Sequence, residues 1–96
     1  MYGVTVTMTV REGRREIFEQ LIKTLVEAVK AHEPQNLAYH VLRSRTQPNC
    51  FRIVEIYASK EAFKAHFGAG HVSELNAAIQ ATLESGTQME MVDVLA

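Results

Sequence analysis

Within Cys50–His71 a largely apolar strand segment, Cys50–Ala58, carries the carboxylate Glu55 and the phenol Tyr57, and the stretch after it carries two imidazoles, His66 and His71. Glu55 lies among Ile53, Val54, Ile56 and Tyr57, where a dry, unpaired carboxylate is costly. Burial raises the pKa of such a group unless a donor or a cation holds its charged form. Phenol, imidazole and carboxylate together suit proton transfer from a weakly acidic substrate to a base working near neutral pH. They also suit hydrogen-bond donation to the oxyanion that forms. A structural reading of Glu55 stands beside this one, as an ion pair with Arg52 or, across a hairpin, with Arg43.

Other chemistries fit the residues less well. His66 and His71 are five apart, and Gly68 and Gly70 break the helix between them. That spacing does not stack two imidazoles on one helical face, and no cysteine cluster or HExxH helix assists, so no metal site is expected. The glycines lack the lysine and preceding strand of a phosphate loop. Cys50 has no neighbouring base in sequence and reads as structural.

The elements that must position these groups follow from periodicity. Tyr2–Arg11 alternates, with Tyr2, Val4, Val6, Met8 and Val10 on one face and Thr5, Thr7 and Thr9 on the other, and predicts a strand. Arg14–Ala31 has helical spacing, with an apolar stripe of Ile17, Phe18, Leu21, Ile22, Leu25, Val26 and Val29. Glu33-Pro34 ends it, because a residue before proline avoids the helical region. Arg14 and Arg15, at the start of that helix, read as a solvated face. Asn36–Thr46 predicts a second strand with Leu37, Tyr39, Val41 and Arg43 on one side. Gln47-Pro48-Asn49 is a hairpin connection into a third strand, Cys50–Ala58. Ser59 is the expected N-cap of a second helix holding Phe63, His66 and Phe67. That helix bends at Gly68-Ala69-Gly70, resumes from His71 with Val72, Leu75, Ile79, Thr82 and Leu83 inward, and stops at Ser85-Gly86. Thr87–Ala96 predicts the last strand, with Met89, Met91, Asp93 and Leu95 on one face.

The order β-α-β-β-α-β predicts an α+β, ferredoxin-like fold: one four-stranded antiparallel sheet with two helices on one face. At 96 residues the chain has room for a single domain, residues 1–96, with 47% hydrophobic and 22% charged residues. A net charge of −1 provides no field for nucleic acid or an anionic membrane. The third strand also lacks the Gly-aromatic-Gly pattern of RNA-recognition modules of the same topology. No apolar run is long enough to cross a membrane, the amino terminus lacks signal-peptide features, and the single cysteine fits a reducing compartment, so a cytoplasmic location is expected. The sheet face away from the helices carries Val54, Ile56 and threonines where a wet face would carry charges. An apolar face of that kind predicts a homodimer.

Along nearly its whole length the sequence resembles the antibiotic biosynthesis monooxygenase family. The resemblance is carried in order by Glu33-Pro34, Leu37-Ala38-Tyr39, Phe51, Val54-Glu55-Ile56-Tyr57, Ser59–Phe63, Ala65-His66 and the pair His66 and His71 around Phe67-Gly68-Ala69-Gly70. Gln35-Asn36 stands where the family usually has glycine, Ala69-Gly70 stands where it often has Ser-Pro, and there is no tryptophan. The last feature argues against the haem-degrading branch. The resemblance implies a dimeric α+β barrel and cofactor-free oxidation of a quinol, polyphenol or similar small aromatic molecule by molecular oxygen. It implies His66 as base or proton relay and Glu55 as its orienter or a second acceptor. Asn36, Tyr39, Tyr57 and His71 are implied as donors to substrate, and Phe63 and Phe67 as part of an aromatic slot. Its alternatives are a non-catalytic dimeric barrel that binds a small hydrophobic ligand, and an isomerase of the same family.

Overall fold

Strict alternation in β1 (Tyr2–Thr9) makes it the natural centre of a sheet, and the computed structural model, which describes residues 1–96, places it there. The remaining elements are α1 (Arg15–His32), β2 (Asn36–Arg43), β3 (Cys50–Tyr57), α2 (Lys60–Gly68), α3 (Gly70–Ala81) and β4 (Gln88–Asp93). The strands pair antiparallel in the order β2-β3-β1-β4, the ferredoxin-like arrangement expected. Each element is slightly shorter than, or shifted from, its sequence pattern. The largest trims are at β2, where Ser44–Thr46 belong to the turn, and at β4, which ends at Asp93.

Alternation then decides which side chains are inside. Val4, Val6 and Met8 of β1 and Phe51, Ile53 and Tyr57 of β3 point to the helix side and are buried. Phe18, Ile22, Leu25 and Val29 of α1 cover them, with Phe18 and Phe51 in tilted contact at 4.6 Å between centroids. Burial of side chains this size gives roughly 1.5–3 kcal/mol each before the entropy of ordering is charged. Ile17, expected in the α1 stripe, is 44% exposed, because it lies at the rim of an arc wider than the sheet can cover.

The second helix differs from expectation in an informative way. It is two helices, not one bent helix, and the break is sharp. Ser59 caps α2 as expected, its hydroxyl accepting from the Ala62 N–H at 3.2 Å. Ala69 is extended (φ −76°, ψ 137°) and separates α2 from α3. The carboxyl end of α3 is tied back to the end of β1, where the Arg11 Nε–H donates to the Leu83 carbonyl at 2.8 Å.

β2 also departs from simple alternation. Asn36 pairs with Tyr57 and Ala38 with Ile56, so a bulge absorbs Leu37, which is 54% exposed instead of sharing the face of Tyr39. The bulge resets the register so that Tyr39 stands opposite Glu55 on the helix side.

Helices cover one face of the sheet only. On the other, Thr5, Thr7, Thr9, Val54 and Ile56 are half-buried, and Leu42 and Val92 are exposed. β4 is bound only to β1, and Gly3 permits the approach: a Cβ there would stand 2.9 Å from a Val92 methyl. Met89 and Met91, which share one face of β4, are exposed, since no helix reaches over this edge. No helix is long and apolar enough to cross a membrane.

Candidate active site

The polar groups gather where the carboxyl end of α1 meets the α2–α3 break. Glu33, the residue after α1, is the hub. One of its carboxylate oxygens lies 2.8 Å from His66 Nδ1, and the other lies 2.6 Å from His71 Nε2. The side chains of His66, Glu33 and His71 are 4%, 11% and 21% exposed. A carboxylate can only accept, so the contact fixes His66 with its proton on Nδ1 and leaves Nε2 as the free, basic nitrogen. His71 donates in the same way from Nε2. The ring of His32 lies 5.3 Å from that of His71.

A second buried pair adjoins the first. Tyr57 donates to Glu55 Oε1 at 2.7 Å. Glu55 is 4% exposed and bonds to neither Arg52 nor Arg43, and Arg43 reaches Glu19 instead, at 3.4 Å. The structural reading of Glu55 as an arginine partner is therefore overturned: Arg52 is turned to the opposite face of β3, and Arg43 stands four residues along β2 from the Tyr39 that pairs with Glu55 and is engaged by Glu19 of α1. Desolvation pushes the Glu55 carboxyl above the usual range, offset in part by the Tyr57 hydrogen bond and by His66 nearby. Burial and the neighbouring carboxylates raise both phenols, Tyr39 and Tyr57, so both stay protonated donors.

Aromatic rings complete the shell. His66 lies 5.7 Å from Tyr57, 6.0 Å from Tyr39 and 5.4 Å from Phe67 between centroids. Phe63 packs edge-on to Tyr57 and Phe67.

The expected site residues thus divide. His66, Glu55, Tyr57, Tyr39, Phe63 and His71 converge. Phe67 touches the group but is 45% exposed. Asn36 is turned to a local task, its Nδ2 donating to the Ala38 carbonyl at 3.1 Å across the β2 bulge. The carboxylate bonded to His66 is that of Glu33, while Glu55 accepts from Tyr57. One signal in the amino-acid order points to Glu33: a carboxylate at the negative end of a helix dipole is disfavoured and calls for a compensating partner.

Two cavities flank this cluster. A cleft of about 970 Å³ runs between α1 and β2 over Ile22, Val26, Tyr39, Val41 and Phe51. A smaller one, about 360 Å³, lies at the α1–β2 connection beside Glu33, Asn36 and Tyr39. Lys30, Tyr39 and His40 line both, and neither is lined by Glu55, Tyr57 or His66. Tyr39 therefore stands between His66 and both cavities, while Glu33 itself opens onto the smaller one.

Residues 1–78 match the family model described as antibiotic biosynthesis monooxygenase. The chain belongs to that family. The matched region contains every residue of the polar cluster and stops short of β4. Among solved structures, a family protein from Caulobacter crescentus CB15 is 32% identical, with a TM-score of 0.94 over 99% of this chain and 90% of its own. One from Nitrosomonas europaea is 20% identical, with a TM-score of 0.92 over the full length of both chains. A conserved protein from Methanosarcina mazei Go1 is 19% identical, with a TM-score of 0.89 over 95% of this chain and 89% of its own. The last two likenesses concern the fold alone. No curated protein sequence matches the chain significantly.

Glu55 leads to a prediction about pH. Its folded-state pKa is raised, so the folded protein holds this proton more tightly than the unfolded chain does. Stability from this group is then full below the ordinary carboxylate pKa of about 4.3 and is lost as pH rises through the raised value. Glu55→Gln keeps an acceptor for Tyr57 and removes the titration. The melting temperature of the variant relative to wild type should rise between about pH 4 and about pH 7.5. A difference that stays constant across thermal melts in this range would contradict the raised pKa.

Proposed function

We propose that the protein is a cofactor-independent monooxygenase acting on a hydroquinone, polyphenol or similar small aromatic molecule with molecular oxygen. The observation that carries this reading is the His66 imidazole, held through Nδ1 by Glu33 with Nε2 unbonded, inside a shell of Tyr39, Tyr57, Phe63 and Phe67. Family membership supports it.

The chemistry asks the protein for little, because the substrate itself reduces oxygen. Nε2 removes a proton from a substrate hydroxyl, and Glu33 stabilises the imidazolium that results. The electron-rich anion passes one electron to oxygen, the two radicals combine at a ring carbon, and loss of water leaves a carbonyl. For a simple hydroquinone the products are a hydroxyquinone and one water. The substrate loses four electrons, one oxygen atom enters the ring and the other leaves as water. Tyr39 remains a protonated donor open to the developing oxyanion, while Tyr57 donates to Glu55, and the aromatic shell keeps the radical pair dry. His66 is the residue that exchanges the proton, and Glu33 positions it.

The placement of the cavities favours one second reading, in which the α1–β2 cleft binds an aromatic ligand without turnover. Oxygen-electrode assays on a panel of hydroquinones and polyphenols, with metal-free protein, separate the two. Consumption above the spontaneous rate is expected, with a loss of about 100-fold or more in His66→Ala. Absence of uptake, or uptake unchanged in that variant, favours binding alone.

The same reading includes a homodimer formed through the sheet face that the helices leave bare. Multi-angle light scattering at micromolar concentration should give twice the 10.8 kDa chain mass, and a monomer would exclude this assembly.

A further inference from the structure

We infer that the α1–β2 cleft is a binding site for an aromatic molecule bearing an anionic group, and that the substrate class is therefore a phenolic carboxylate or similar anion. This rests on the proposed oxygenase reading for its catalytic meaning, but the binding site stands on its own observations.

The first is how charge is distributed. The chain carries ten basic and eleven acidic residues, with a net charge of −1. Five of the ten basic residues, Arg15, Lys23, Lys30, Arg43 and Arg45, line this one cleft, against two carboxylates, Glu19 and Glu27. The cleft is thus +3 and the rest of the chain −4. Arg15 and Arg43 share Glu19, at 4.0 and 3.4 Å. Lys23, Lys30 and Arg45 make no ion pair. The cations come from separate elements: the outer face of α1 supplies three, at helical spacing, and the end of β2 with its turn supplies two. Cations that face one another across a cleft cost repulsion, and a bound anion relieves it.

The second observation is the floor. Ile22, Val26, Val41 and Phe51 give an apolar surface suited to a ring. At its inner end stands Tyr39, 5% exposed, whose hydroxyl bonds to no other protein group. A protonated phenol whose hydroxyl is unbonded and open at the cleft can hydrogen-bond a polar substituent on a ring lying there. The cleft therefore offers an apolar middle, a hydrogen-bonding inner end backed by His66, and a cationic rim. An aromatic molecule with a hydroxyl at one end and a carboxylate at the other matches that sequence of environments. A neutral quinol satisfies only the inner two.

The test compares two probes that differ in one group, 6-hydroxy-2-naphthoate and 2-naphthol, by calorimetric titration with amide shift mapping. Wild type should bind the carboxylate about five- to tenfold more tightly, as expected for two or three solvent-exposed charge contacts. Its shifts should centre on α1 and β2. Lys23→Ala combined with Arg45→Ala removes two exposed side chains that hold no partner in the fold. This variant should abolish most of the preference while leaving 2-naphthol binding unchanged. Lys60→Ala with Lys64→Ala, outside the cleft, should preserve the preference. Equal affinity for the two probes, binding of neither, shifts centred elsewhere, or a preference that survives in the cleft variant would overturn the inference. The titration is anaerobic and involves no turnover. An intact preference with no oxygen uptake would remove the chemistry and keep the site, and lost preference with uptake intact would do the reverse.

Discussion

A single carboxylate at the end of a helix holds this molecule's polar centre together. Glu33 follows the last turn of α1, where the helix dipole disfavours negative charge, and it is mostly withdrawn from water. Both costs are met by two imidazoles, one from α2 and one from α3. Because those helices are separated only by extended Ala69, the same carboxylate joins three helices at one point. Without it, His66 would be a buried ring with no preferred tautomer. With it, one nitrogen is a fixed donor and the other a free base, the arrangement by which a carboxylate makes histidine useful in acid–base chemistry.

The sheet supplies the other half of the centre through register. Glu55 and Tyr57 are two apart in β3, so both point inward, and the bulge after Asn36 brings Tyr39 opposite Glu55. A one-residue slip in β2 would send Tyr39 to the far face and open the wall between the network and the cleft. The buried carboxyl of Glu55 costs stability that a hydrophobic residue would not. Its retention beside His66 suits a site where charge and protons are exchanged, and gives a purely structural core no advantage.

Much of this was legible in the amino-acid order. Alternation in β1 and β3 and the three-four spacing in α1 depend on burial alone, so the fold, the inward face of β3 and the convergence of Glu55, Tyr57 and His66 could be read directly. What escaped depends on contacts distant in sequence or on small backbone irregularities. Glu33 read as a helix terminator because its two partners lie 33 and 38 positions away. Asn36 and Leu37 were misplaced because a bulge carries no strong residue signature when glycine is absent. The cationic cleft was invisible because Arg15 and Arg45 meet only after β2 packs beside α1, and a net charge near zero conceals a dipolar surface.

The account depends on Glu33 fixing the tautomer of His66, and this is open to direct measurement. Nitrogen-15 chemical shifts of the imidazole ring distinguish protonated from free ring nitrogens. They should be recorded at about pH 9, well above the ordinary histidine pKa. The account predicts a protonated Nδ1 and a free Nε2 for His66 in the wild-type protein, with that preference lost in Glu33→Ala, which removes the acceptor as well as the charge. A proton on Nε2, or a tautomer indifferent to the loss of the Glu33 charge, would contradict it.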